Sequence, residues 1–157
     1  MSDDGTDDTE WYVPITYTTS ADTSKFTKTA TIDWLKPGEN LTITLDKEDN
    51  WIILNNQQVG YYRVEYDDTL LAKIKDALNS DNFGKIDEIS RSQLVDDQLN
   101  FARAGKAEYA DVLRFLAFMK TDDSYYTWYP VFNGFSYLLK RTSDDKIRTP
   151  LKVILWY

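Results

Sequence analysis

Apolar and polar residues alternate along the chain as far as Tyr66 and then change to a helical spacing, so a β region followed by an α region is expected. Trp11, Val13, Ile15 and Tyr17 fall on one face of a first strand. Pro14 lacks an N–H for the ladder, which makes that strand an edge or a bulged one. Ala30, Ile32 and Trp34 share a face of a second strand spanning Thr29–Trp34. Lys36-Pro37-Gly38-Glu39 follows as a turn with Pro and Gly in the order that type II favours. Leu41 to Leu45 alternates cleanly as a third strand. The apolar run Trp51-Ile52-Ile53-Leu54 suits a buried fourth strand. Asn55 to Gln58 then supply a turn, Gly60 is free to take φ > 0, and Tyr61–Tyr66 completes a fifth strand, with Arg63 and Glu65 on its outer face.

From Asp67 the period is that of a helix. Asp68 or Thr69 is placed to cap a segment with Leu70, Leu71, Ile74 and Leu78 on one face. Asn79 to Gly84 breaks it. Ser90-x-x-Gln93 reads as a capping box that opens a helix through Leu94, Leu99 and Ala102, closed by Gly105. Tyr109, Val112, Leu113, Leu116 and Met119 mark another helix. Asp122, Asp123 or Ser124 starts the next, which runs to Arg141. A last helix is expected from near Pro150, a good first-turn residue. The result is an α+β chain in two parts: an incomplete antiparallel β-sandwich over 11–66, behind a flexible acidic tail over 1–10, and an array of antiparallel helices over 67–157.

Composition narrows the function. The 157 residues are 42% hydrophobic and 15% aromatic, enough for a real core. Of the net charge of −8, residues 1–66 carry 12 acids against 5 bases, and the remainder is nearly neutral. An acidic tail on a near-neutral body does not match a phosphate backbone, so nucleic acid is not an expected partner. The chain has no His and no Cys. It therefore lacks an imidazole base, a thiol nucleophile, a disulfide framework and the usual zinc ligands. No apolar run reaches the length of about 18 residues that a membrane span needs. The apolar stretch Leu151 to Tyr157 carries no helix stop signal and reads as a cut.

Two runs carry a family resemblance. The first is W-x-x-x-N…G-Y-Y-R-V-x-Y-D, from Trp51 to Asp67, and the second is S-R-S-Q-L-V-D-D-Q-L-N-F-A-R-A-G, from Ser90 to Gly105. Together they resemble the non-catalytic C-terminal half of the aminopeptidase N family of zinc metallopeptidases, most of all its insect midgut members. The resemblance implies that the first run ends a small sandwich domain and the second lies early in a large helical domain. A catalytic member needs H-E-x-x-H and a G-A-M-E-N segment, and neither occurs here. By this resemblance the chain is a piece of an enzyme without its active site, and zinc belongs to the parent's catalytic domain rather than to this chain.

Few side chains are candidates for chemistry. Asp96 and Asp97 are neighbours on a helix and point about 100° apart, which does not suit a catalytic carboxylate pair. One is expected to meet solvent or Arg103, the other to cap or pair at a helix contact. Arg63, on an exposed strand position, and Arg91, near a helix start where a cation opposes the dipole, are candidate interdomain contacts. Each wants a specific carboxylate, within the chain or on the catalytic domain. Tyr125, Trp128 and Phe132 form a core stripe at helical spacing, leaving Tyr126 and Tyr129 on a neighbouring face. Asp3-Asp4-x-x-Asp7-Asp8 lacks the spacing and the glycine of a calcium loop and reads as a solvated tail. Asn40 heads an N-x-T sequon after a turn, a candidate glycosylation site.

The expected function is structural: linking the catalytic domain to the rest of the helical domain in an enzyme that removes N-terminal residues from peptides. The resemblance further implies a lipid-anchored parent on the extracellular face of the plasma membrane, and a surface recognised by bacterial insecticidal toxins. Self-association through the bare strand edge near Trp11 and the apolar stretch Val153 to Trp156 is also expected. The alternative is a free-standing extracellular module that binds protein or carbohydrate.

Overall fold

The computed structural model describes residues 9–26, 32–48, 50–81 and 83–156, with the side chains at 147, 150 and 153–156 outside that description. The acidic run Asp3 to Asp8 and the first half of the expected second strand, Thr29 to Thr31, lie outside the described residues. So do the side chains of the apolar stretch from Val153. The chain divides into two compact units, Met1–Tyr62 and Arg63–Tyr157.

The first unit holds four short strands: β1 (Val13–Ile15), β2 (Tyr17–Thr19), β3 (Asp33–Leu35) and β4 (Ile52–Leu54). The single strand expected over Trp11–Thr18 is broken at Thr16, and its halves join different antiparallel sheets. β1 pairs with β3, matching Val13 to Leu35 and Ile15 to Asp33. β2 pairs with β4, matching Tyr17 to Leu54 and Thr19 to Ile52. The Thr16 carbonyl, at the break, accepts the Asn55 N–H at 2.7 Å. The core of this unit is built on Trp51, Ile52, Ile53 and Phe26, with the Phe26 and Trp51 rings stacked 6.4 Å apart. Thr16, Thr18 and Thr19 are buried beside them, while Trp11 is 74% exposed and Trp34 56% exposed. Those two tryptophans were expected on the apolar faces of their strands, and both face solvent instead.

Two expected strands do not form. Residues 41–45 have no ladder partner among the described residues, and Leu41 and Leu45 are exposed. Alternation alone does not make a strand without a neighbour to satisfy its N–H and C=O groups. Residues 61–66 are also irregular, because side chains take their backbone groups. The Asn55 amide donates to the Gly60 carbonyl at 2.9 Å and the Tyr62 carbonyl at 3.1 Å, and its oxygen accepts the Gly60 N–H at 2.7 Å. Asn55 is buried and left-handed, as are Gln57 and Gln58 in backbone, whereas Gly60 does not have positive φ. The turn is thus a loop folded around one asparagine rather than a hairpin.

The second unit contains α1 (Asp68–Leu78), α2 (Glu88–Arg103), α3 (Tyr109–Phe115), α4 (Tyr125–Arg141) and α5 (Asp145–Trp156), with 3-10 turns at Phe83–Lys85 and Leu116–Lys120. The caps fall slightly upstream of the expected ones. Asp67, not Asp68 or Thr69, accepts the Leu70 N–H at 2.9 Å. Asp87 caps α2 by accepting from Ile89 and Ser90, so Ser90 and Gln93 are buried inside the helix rather than forming its capping box. Gly105, with φ +73°, ends α2: its N–H reaches the Ala102 carbonyl, and the Lys106 N–H reaches Phe101. That pair of bonds is a Schellman closure. α5 starts at Asp145, ahead of Pro150, and Arg148 donates to the Leu139 and Thr142 carbonyls at the end of α4. A cation there meets the negative end of the helix dipole.

α2 and α4 form the main packing pair of this unit. Gly134 lets them approach: a Cβ there would meet the Leu99 Cδ1 at 2.9 Å. The core comprises Ile74, Leu78, Ile86, Leu94, Val95, Phe118, Val131 and Phe135. On α4 the buried positions are Thr127, Pro130, Val131 and Phe135. Tyr125 is 69% exposed, so the expected stripe Tyr125-Trp128-Phe132 is not the core stripe of this helix. Among the described residues no helix is long and apolar enough to cross a membrane.

Candidate functional site

Three features of the second unit bring charged side chains together. At its start, Arg63 donates to the carboxylates of both Asp96 and Asp97, the latter at 3.0 Å. The two acids diverge on α2, as helix geometry requires, but one guanidinium spans both. Asp97 also accepts the Val64 N–H at 3.1 Å, and Asn100 donates to Asp96 at 3.0 Å. Arg63 is half exposed and Asp97 buried. Burial pushes the Asp97 carboxyl above the usual carboxylate range, and the bonds from Val64 and Arg63 offset this only in part. Arg103, one expected partner for this pair, forms no ion pair with either acid; Arg63 takes that place.

Arg91 forms the second feature and is enclosed within the unit. Its Nε donates to Asp122 Oδ2 at 2.9 Å and its Nη2 to Oδ1 at 3.3 Å, a forked pairing with both side chains nearly solvent-free. Its third nitrogen donates to the Ile86 carbonyl, and the guanidinium lies 4.3 Å from the Phe83 ring centre. Asp122 in turn accepts the Ser124 N–H at 2.9 Å, and its carbonyl accepts the Trp128 indole N–H at 2.7 Å. One ion pair therefore fixes the N-terminal ends of α2 and α4 together. An Arg at a helix start signalled a specific partner in the sequence, but Asp122 was legible only as one of three helix-start residues.

The third feature is a cavity of about 230 Å³ lined by Arg63, which precedes α1, and by residues of α2, α3 and α4, among them Asp96, Arg103, Tyr109, Asn133 and Tyr137. The Arg103 and Arg141 guanidinium groups lie 4.2 and 3.7 Å from the centre of the Tyr137 ring. Nothing in the sequence pattern pointed to this cluster, because its members come from three helices. Asn40 lies exposed just beyond the turn closed by the Glu39 N–H on the Lys36 carbonyl.

These residues do not suit zinc. The chain offers no imidazole or thiolate, and among the described residues no group of three or more His, Cys, Asp or Glu is disposed to hold a metal. The one adjacent acid pair on α2 is already taken by Arg63, Asn100 and a backbone N–H.

The chain is thus an α+β protein in two parts, two small antiparallel sheets followed by a helical array. The ERAP1-like C-terminal domain family matches residues 51–155, and the chain belongs to that family. It is 34% identical over 141 residues to a membrane alanyl aminopeptidase of Manduca sexta, covering 86% of this chain and 14% of that protein. It is 36% identical to the membrane alanyl aminopeptidase of Heliothis virescens, over 83% of this chain and 13% of that protein. Aminopeptidase N of Rattus norvegicus is 27% identical over 90% of this chain, again 14% of its own length. The resemblance to the aminopeptidase N family thus holds, and the chain spans about 14% of the length of the curated relatives it matches.

Proposed function

We propose that this chain is a non-catalytic portion of a membrane-associated zinc aminopeptidase, linking the catalytic domain to the remainder of the helical domain. The observation that carries the reading is the match of 51–155 to a C-terminal domain family in a chain that has no histidine. The parent would remove N-terminal residues from peptides, with its zinc held by residues other than these. An extracellular location is part of the same proposal, supported by the membrane aminopeptidases among the relatives and by the exposed sequon at Asn40.

The full-length transcript tests it. The expected reading frame holds H-E-x-x-H and G-A-M-E-N upstream of Met1 and further helical sequence beyond Tyr157. A stop codon directly after Tyr157, with no metallopeptidase sequence upstream, would sink the proposal.

A further inference from the structure

The run Asn40-Leu41-Thr42-Ile43-Thr44-Leu45 has no charge, no Pro and no Gly. Thr42, Ile43 and Thr44 are β-branched between two leucines, the composition of a segment that pairs with copies of itself. The run has no ladder partner among the described residues, and Leu41 and Leu45 are 38% and 39% exposed. An exposed, strand-like run of this kind is a template for a second chain. The nearest acids, Glu39 and Asp46, lie outside it, and Glu39 already faces Lys36 at 3.8 Å.

The head of the same run is the chain's one N-x-S/T sequon, Asn40-Leu41-Thr42. Asn40 and Thr42 are both exposed, and the turn closed by the Glu39 N–H on the Lys36 carbonyl at 3.1 Å ends just before them. We propose that Asn40 carries an N-linked glycan that shields the run 40–45 from pairing with a second copy. The donor is a polyprenyl-diphosphate-linked oligosaccharide. Asn40 Nδ2 attacks its anomeric carbon and a C–N bond forms. The C–O bond to the diphosphate breaks, Nδ2 gives up one proton, and the polyprenyl diphosphate leaves. The Thr42 hydroxyl completes the sequence that the transferase reads. A bulky, hydrophilic glycan beside Leu41 blocks an incoming strand and adds polar surface. It takes the place that a charged gatekeeper residue holds beside other aggregation-prone strands. In the parent this rests on the extracellular location proposed above.

The test secretes the chain from insect cells behind a heterologous signal peptide, which delivers it to the transferase wherever the parent resides. Intact-mass and glycopeptide spectrometry should find a glycan on Asn40, lost in Asn40→Gln. Light scattering then compares this protein, at equal concentration, with the unglycosylated wild-type chain from bacteria and with its Ile43→Lys variant. Ile43 is only half buried, so lysine there keeps its charge in water. The glycosylated chain should be monomeric and the unglycosylated one a dimer or larger. Ile43→Lys should restore the monomer without any glycan. A folded, secreted chain with Asn40 unmodified would overturn the site. Equal association with and without the glycan, or no recovery in Ile43→Lys, would overturn the shielding.

Discussion

Arg91→Ala is expected to lower the unfolding free energy by about 3–5 kcal/mol, the cost of leaving one partner of a buried ion pair uncompensated. The lost groups are specific. Asp122 would keep a buried negative charge with only the Ser124 N–H on it, and the Ile86 carbonyl would lose its guanidinium donor. The Phe83 ring would lose the flat cation beside it. Because the pair holds the starts of α2 and α4, the loss should spread through the helical unit rather than fray one end. For a unit of this size the midpoint should fall by more than about 10 °C, read as ellipticity at 222 nm. Asp122→Ala should cost a similar amount. The Arg91→Met/Asp122→Leu double variant should cost clearly less than the two single losses added together, since no buried charge then remains alone. A fall below about 1 kcal/mol for Arg91→Ala would mean that the pair is not structural.

Asp97→Ala is expected to cost about 2–3 kcal/mol, whereas Asp97→Asn should cost less than about 1 kcal/mol at pH 7. Alanine leaves the Val64 N–H without an acceptor, while asparagine retains one. Charge explains the rest of the difference. Burial holds the folded-state carboxyl above its unfolded value. The folded chain therefore takes up this proton more readily than the unfolded one. The associated stability is fully present below the unfolded pKa and is lost as pH rises through the folded pKa. At neutral pH the ionised Asp97 carries that cost, so removing its charge is mild. Acidification from pH 7 through the raised pKa should shift the balance between the two proteins toward wild type. Urea unfolding at a series of pH values reads both effects. If Asp97→Asn costs as much as Asp97→Ala at pH 7, the bond to Arg63 outweighs burial and the sign is reversed.

The helical part of the chain was far more legible than the β part, and particular residues show why. Leu70, Ile74 and Leu78 announce α1, and Gly105 marks the end of α2, because helix bonds close within a few residues. A cap three residues upstream, Asp87 in place of Ser90, moves a boundary without changing the element. Strands depend on distant partners instead. Leu41 to Leu45 alternates as well as any strand in the chain but finds no partner among the described residues. Tyr61 to Tyr66 alternates too, yet Asn55 and Asp97 bind its backbone in place of a neighbouring strand. At the candidate sites, the adjacency of Asp96 and Asp97 was visible and their shared arginine was not. Arg63 and Arg91 could be picked out as cations needing carboxylates, but only the fold brings Asp96, Asp97 and Asp122 to them. The Arg103–Tyr137–Arg141 stack left no local trace, since spacing within one helix does not reveal what a second helix supplies.

The proposed function makes this chain a structural portion of the parent enzyme rather than its hydrolytic centre. Hydrolysis of aminoacyl p-nitroanilides by the purified, folded chain, with and without added zinc, tests it most directly. No turnover above the buffer rate is expected under either condition, because the chain has no histidine to activate water and, among the described residues, no group of three or more His, Cys, Asp or Glu disposed to hold a metal. Zinc-dependent turnover that scales with protein concentration and survives a second, independent purification would contradict it.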